Sequence, residues 1–146
     1  MLFRSGLGGE CAGLRLESVD PGGHIRAAIP LEQVIGCVVH AASTHGEAPG
    51  VVRHVTGDGL VIGEPRGGDT PRVRALAALL ERSGFAVSVS ERIQRDIWFK
   101  LWGNMTMNPV SALTGATADQ VLDDPLVRGF ITSVTRIGRA SCRERV

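Results

Sequence analysis

Long apolar runs, cysteines at paired spacings and an excess of charge of one sign are missing from this sequence, and each absence removes a class of function. No stretch is apolar for long enough to span a bilayer, and no signal-peptide core follows the first methionine. The chain is therefore expected to work in the cytoplasm, with no membrane partner. Its three cysteines (Cys11, Cys37 and Cys142) are too few and too irregularly spaced for a disulfide framework or a zinc site. They read as free thiols of a reducing compartment, with Cys37 a packing residue inside an apolar strand. His24, His45 and His54 share no metal-ligand spacing, so no metal is expected. A formal net charge of +1 gives no bulk attraction to nucleic acid. Internal repeats and low-complexity segments are absent as well.

That small charge depends on the ends of the chain. Met1 to Ser5 resembles the translation of a sequencing adapter, and Ile137 to Val146 resembles read-through into the adapter at the other end. On that reading residues 1–5 and 137–146 are foreign, and the remainder is slightly acidic. The arginines of the tail are then no binding arm.

What is present is an ordinary globular composition over 146 residues, 43% hydrophobic and 21% charged, enough for one domain or parts of two. Asp20-Pro21-Gly22-Gly23 is a strong turn signal. Val34 to Ala42 is β-branched and apolar with little alternation, which predicts a strand buried on both faces. Gly50 to Thr56 and Leu60 to Gly63 predict a hairpin turning at Gly57-Asp58-Gly59. Asp69 or Thr70 can cap a helix that starts at Pro71, carries Val73, Leu76, Leu79 and Leu80 on one face, and closes at Gly84. Phe85 to Val89 predicts a short strand.

From Ile93 the periodicity is helical, after a start at Ser88 or Ser90. Pro109 should kink or end that helix after Asn108, with Val110 to Leu113 as its continuation. Two short helices are predicted over Ala118 to Leu122 and Leu126 to Val134. The strand-bearing pattern gives way to an all-helical one near Ser88 to Glu91, the expected domain boundary.

Lys100, Asn104 and Asn108 stand four and four apart in the helical stretch. Four residues turn a helix by roughly 400°, so the three side chains form one nearly axial stripe. Their neighbours from Ile97 onward are almost wholly apolar. A solvated surface lysine is the bland reading of Lys100, and Asp96, one turn earlier, is its bland partner. Asparagines four apart are harder to dismiss, because asparagine is a poor helix former and a buried amide demands partners. The alternative is a site in which an anionic substrate compensates the ammonium. His40 ends the apolar strand where α/β sheets present ligands, although a strand-end histidine bonded to backbone explains it as well.

The run from Trp98 to Pro109, with lysine, asparagine and asparagine-proline at successive four-residue steps, resembles the active-site helix of the ketopantoate reductases (2-dehydropantoate 2-reductases). Val34 to Ala42, Gly50 to His54 and Ile62-Gly63-Glu64-Pro65 are similar to stretches of the same family in the same order, so the resemblance runs from about Gly6 to about Arg136. It implies an α/β fold: residues 6–89 as the late part of a Rossmann-type, NADP-binding domain, and residues 90–136 as the start of an all-helical substrate and dimerisation domain. It implies reduction of a small 2-keto acid with NADP as cofactor, within pantothenate biosynthesis, by a homodimer of the full-length protein. It makes Lys100 the proton donor, Asn104 and Asn108 substrate-binding residues, and Ala42 the place where backbone approaches the cofactor.

Two departures accompany the resemblance. The family's Gly-x-Gly-x-x-Gly/Ala turn is missing, and Gly6-Leu7-Gly8-Gly9 is a decoy with no β-run before it and Cys11 three after Gly8. Without that turn the chain cannot cradle a pyrophosphate and is expected to be an inactive internal fragment. Where some relatives place a further asparagine this chain has Ala118, which leaves open a reductase of another keto acid. A non-catalytic helical or binding module is the remaining alternative.

Overall fold

The computed structural model describes residues 17–144, with side chains over 17–136. The expected foreign ends, the Gly6 to Gly9 decoy, Cys11 and Cys142 lie outside the described residues or their described side chains. The order of elements is α1 (His24–Ala28), β1 (Gly36–His45), β2 (Val52–Gly63), α2 (Pro71–Arg82), β3 (Ala86–Val89), α3 (Ile93–Thr114), α4 (Ala118–Asp123) and α5 (Pro125–Glu144). A mixed α/β unit therefore passes into helices, as the patterning predicts. The short α1 was not foreseen. It follows the Asp20 turn, where the buried Asp20 carboxylate accepts the backbone N–H groups of Ile25 at 2.9 Å and Arg26 at 3.2 Å.

The sheet has three strands in the order β1-β2-β3, antiparallel between β1 and β2 and parallel between β2 and β3. A parallel pair needs a crossover, and α2 supplies it. Thr70 is the N-cap, Pro71 opens the helix, and Gly84 at φ +93° follows the C-cap. There the Phe85 N–H donates to Leu80 O and the Gly84 N–H to Glu81 O, which satisfies the last carbonyls. Val73 and Ala77 pack on Ile62 beneath Ile35, Leu76, Leu80 and Val87. Leu79, expected on that face, is exposed, and Ala77 takes its place.

Three further expectations are corrected. The hairpin is formed by β1 and β2 around residues 46–51, not by two halves of the 50–63 segment. Gly57-Asp58-Gly59 is a bulge inside β2, because His40 pairs with Gly59 and Ala42 with Thr56, so two residues of β2 oppose Ala41. Gly57 has φ +80°, and a Cβ there would lie 2.4 Å from His40 O. Next, β1 is not buried on both faces: only Gly36 and Val38 are buried, while Cys37 and Val39 are exposed. Among the described residues no element covers the face of β1 that carries Cys37 and Val39. Finally, α5 extends well beyond Val134, while α3 runs through Pro109 to Thr114 and so includes the continuation over Val110 to Leu113. Packing of α3 against the sheet, α4 and α5 outweighs the hydrogen bond that proline removes.

Candidate active site

The helix that carries Lys100 starts at the end of the sheet. Gly36 and Gly63 are paired across β1 and β2, and their missing side chains make a socket for the fully buried Ile93. A Cβ on Gly36 would come within 2.7 Å of Ile93 Cγ1, and one on Gly63 within 2.9 Å of Ile93 Cβ. The Ser90 N–H donates to Ile62 O at 2.8 Å, and the Gly68 N–H to Glu91 O at 2.9 Å, so the entry to α3 is tied to the sheet by backbone.

Helical geometry then sets what faces where. Lys100 is two turns from Ile93, and Lys100 and Asn104 both lie within roughly 20° of its direction; Asn108 follows at roughly 60°. Trp102 and Thr106 fall on the opposite side, where Trp102 Nε1–H donates to Thr135 O of α5 at 2.7 Å. Thus α3 turns one side toward its helical partner, and the lysine stripe shares the side anchored in the sheet. Lys100 is half-buried, and Asn104 and Asn108 are exposed. Lys100 is the only lysine of the sequence, and these are its only asparagines.

Asp96 is not the partner of Lys100. It accepts a short hydrogen bond from the Ser90 hydroxyl, which also accepts the Arg92 N–H at 3.1 Å. Among the described residues Lys100 has no ion pair. An ammonium beside two exposed amides, in apolar surroundings, is a place for an anion with hydrogen-bond acceptors.

Ala42 lies elsewhere, exposed on β1 and paired with Thr56 at the bulge. Six residues separate it from Gly36, about 20 Å of strand. His40 sits within β1 opposite Gly59 and is not at a strand end. It borders a surface cavity of about 430 Å³ with Glu81, Phe85 and Val87. The histidine held by backbone is His54, whose Nε2 lies 2.6 Å from Gly57 O.

A cluster the sequence reading did not single out stands in the β2–α2 loop. The nearly buried Glu64 receives both arms of the Arg72 guanidinium and the Thr70 hydroxyl. Those hydrogen bonds, first the one from Arg72, hold its carboxyl at about 2, below the usual 4.5. Arg72 also donates to Glu32 O and Val34 O, which ties α2 to the approach to β1. Its signal was an acidic residue closing a strand, eight positions before an arginine at a helix start. With Gly67 and Gly68 this strand-to-helix turn resembles a phosphate cradle in outline. Glu64, buried and paired with Arg72, occupies the start of that turn.

Comparison with known proteins points to one family. Residues 92–136 match the family described as ketopantoate reductase PanE/ApbA, C terminal. The chain is 44% identical over 125 residues to a 2-dehydropantoate 2-reductase of Mesorhizobium japonicum, covering 86% of this chain and 38% of the relative. It is 30% identical over 141 residues to one from Halobacterium salinarum, covering 92% and 46%. A crystal structure assigned to a ketopantoate reductase of Ralstonia solanacearum MolK2 superposes with a TM-score of 0.87 at 52% identity, over 95% of this chain and 43% of that one. The chain thus spans less than half the length of each of these relatives. With residues 92–136 matched by the family's model and 86–95% of the chain aligned with a 2-dehydropantoate 2-reductase and superposed on a ketopantoate reductase fold, the chain belongs to the ketopantoate reductase family.

Proposed function

We propose that the chain is part of an NADPH-dependent 2-dehydropantoate 2-reductase in which Lys100 protonates the ketone oxygen of a small branched 2-keto acid, ketopantoate. One observation carries this reading: the only lysine and the only two asparagines share the side of α3 whose Ile93 is seated in the sheet. NADPH, by family resemblance, supplies the hydride. As negative charge builds on the ketone oxygen, a preorganised ammonium meets it and delivers the proton. Asn104 and Asn108 offer amide donors to the remaining oxygens of the substrate. The substrate carboxylate is the counter-charge that Lys100 lacks among the described residues.

In this reading Ala42 is where β1 backbone approaches the cofactor. Residues 6–89 belong to the NADP-binding domain and 90–136 to the helical one, with the reaction at their junction. The step forms pantoate in pantothenate biosynthesis, in the cytoplasm, with a homodimer of the full-length protein as the working unit. The names of the curated relatives support the activity.

The test is Lys100→Ala in the full-length protein, assayed with ketopantoate and NADPH. Turnover is expected to fall by about two orders of magnitude or more with folding intact. Retained turnover accompanied by lower stability makes the stripe structural and overturns the proposal.

A further inference from the structure

The geometry points to Gly103 as the residue that sets substrate specificity, by leaving beside Lys100 a notch for the alkyl branch of a 2-keto acid; the inference rests on Lys100 being the proton donor. Gly103 sits in the middle of α3. Glycine is the poorest helix former after proline, and nothing within the chain requires it here. Its φ is not positive. A Cβ built on it would meet no atom within 4 Å beyond the helix's own backbone, in contrast to Gly36 and Gly63, where Ile93 excludes any side chain. Gly129 in α5 has equally open space, but the row that follows it there, Leu126, Phe130 and Val134, is apolar.

Phe99 and Met107, one turn to either side, complete a row with Gly103. Each member immediately precedes one of Lys100, Asn104 and Asn108, so the two rows run side by side, roughly 100° apart around the helix. Phe99 is 69% exposed yet held. Its ring meets Trp102 edge to face with centroids 5.9 Å apart, and Trp102 is fixed to α5 through Thr135 O. An exposed ring braced in this way forms a wall.

A 2-keto acid has the same division: ketone and carboxylate oxygens along one edge, and an alkyl branch on the other. With its oxygens on the lysine–asparagine row, the branch lies over Gly103 between Phe99 and Met107. A larger side chain at position 103 occupies the volume the branch needs.

The experiment compares Gly103→Ala and Gly103→Val with the unaltered full-length protein. All three are assayed with NADPH against 2-keto acids bearing methyl, isopropyl and tertiary-alkyl branches, with thermal unfolding in parallel. For Gly103→Val, kcat/KM on the tertiary-alkyl acid is expected to fall at least about tenfold more than on the methyl acid. Gly103→Ala should lie between, with Tm held or raised, because alanine and valine are both better helix formers than glycine. An equal loss across the three acids overturns the inference, as does an unchanged pattern of selectivity. Should Gly103→Val fail to fold, the selectivity of Gly103→Ala decides by the same criteria. If the unaltered protein reduces none of the acids, the reading of Lys100 fails as well. If Lys100→Ala abolishes turnover while the position 103 series leaves selectivity flat, only the inference about Gly103 fails.

Discussion

Where α2 crosses the sheet the molecule closes a core, and the helical side leaves its bulkiest apolar side chains in the open. Ile62 and Val73 are 1% and 0% exposed where α2 meets the sheet, whereas Leu113 and Leu126 are 88% and 84% exposed. The difference follows from architecture. A β2-α2-β3 crossover lays one amphipathic helix directly on the strands it connects, so its apolar stripe finds a partner within about thirty residues. Three helices joined by short turns cover one another along narrow seams only, here Trp102 against Thr135 and the buried Thr106, Val121 and Ile131. The proposed chemistry is carried by the more open side but seated, through Ile93, in the closed one.

Four measurements test that contrast, and the first has the largest expected effect on stability. Ile62→Ala should cost about 2–5 kcal/mol in urea unfolding, because it removes a side chain from the closed core. A cost under about 1 kcal/mol would show that core to be loose. Gly36→Ala should destabilise by about 1–3 kcal/mol, since its Cβ meets Ile93 at 2.7 Å. Combined with Ile93→Ala, which removes both γ-carbons that the new Cβ would meet, the loss should be smaller than the two single losses added together, and strictly additive costs would remove the socket from the account of how α3 is anchored.

Acid should act on the sheet side through Glu64. Its folded pKa, about 2, lies below the ordinary 4.5, so its contribution is present above the latter and is lost as pH falls from one to the other. Unfolding followed from pH 6 downward should show a steep acid limb that Glu64→Gln flattens; equal limbs would contradict the pairing with Arg72. Smallest of all, Leu126→Ala should change stability by no more than about 0.5 kcal/mol, because its side chain already meets solvent. A large loss there would mean that the helical face is covered after all.

Local chemistry was the most legible part of the molecule. Pro71 with Thr70 before it and Gly84 after it marked both ends of α2, and Ile93 with the four-residue steps after it marked the course of α3. The lysine–asparagine stripe was readable because it depends only on helical periodicity and on which residue types recur. Pairing was less readable. Gly57-Asp58-Gly59 has the composition of a hairpin turn and serves as a bulge, since the strand partner lies in residues 36–45 and no local signal separates the two uses. Pro109 left a kink and an end of the helix equally open, and packing along α3 carries the helix through it to Thr114. Glu64 and Arg72, eight residues apart, gave no periodic signal at all.

Residue order was enough to state that one helix presents an ammonium and two amides in a line, since 3.6 residues per turn is a property of the backbone. It took the folded chain to decide which way that line points. Two facing glycines, one from each of two antiparallel strands, open a gap that Ile93 and the Ser90 backbone fill, and this turns Lys100 toward the sheet-anchored side of α3. Contacts between residues distant in the chain, formed when strands pair and helices pack, are invisible to any local periodicity. They alone settled the role of Gly36, Gly63 and Glu64.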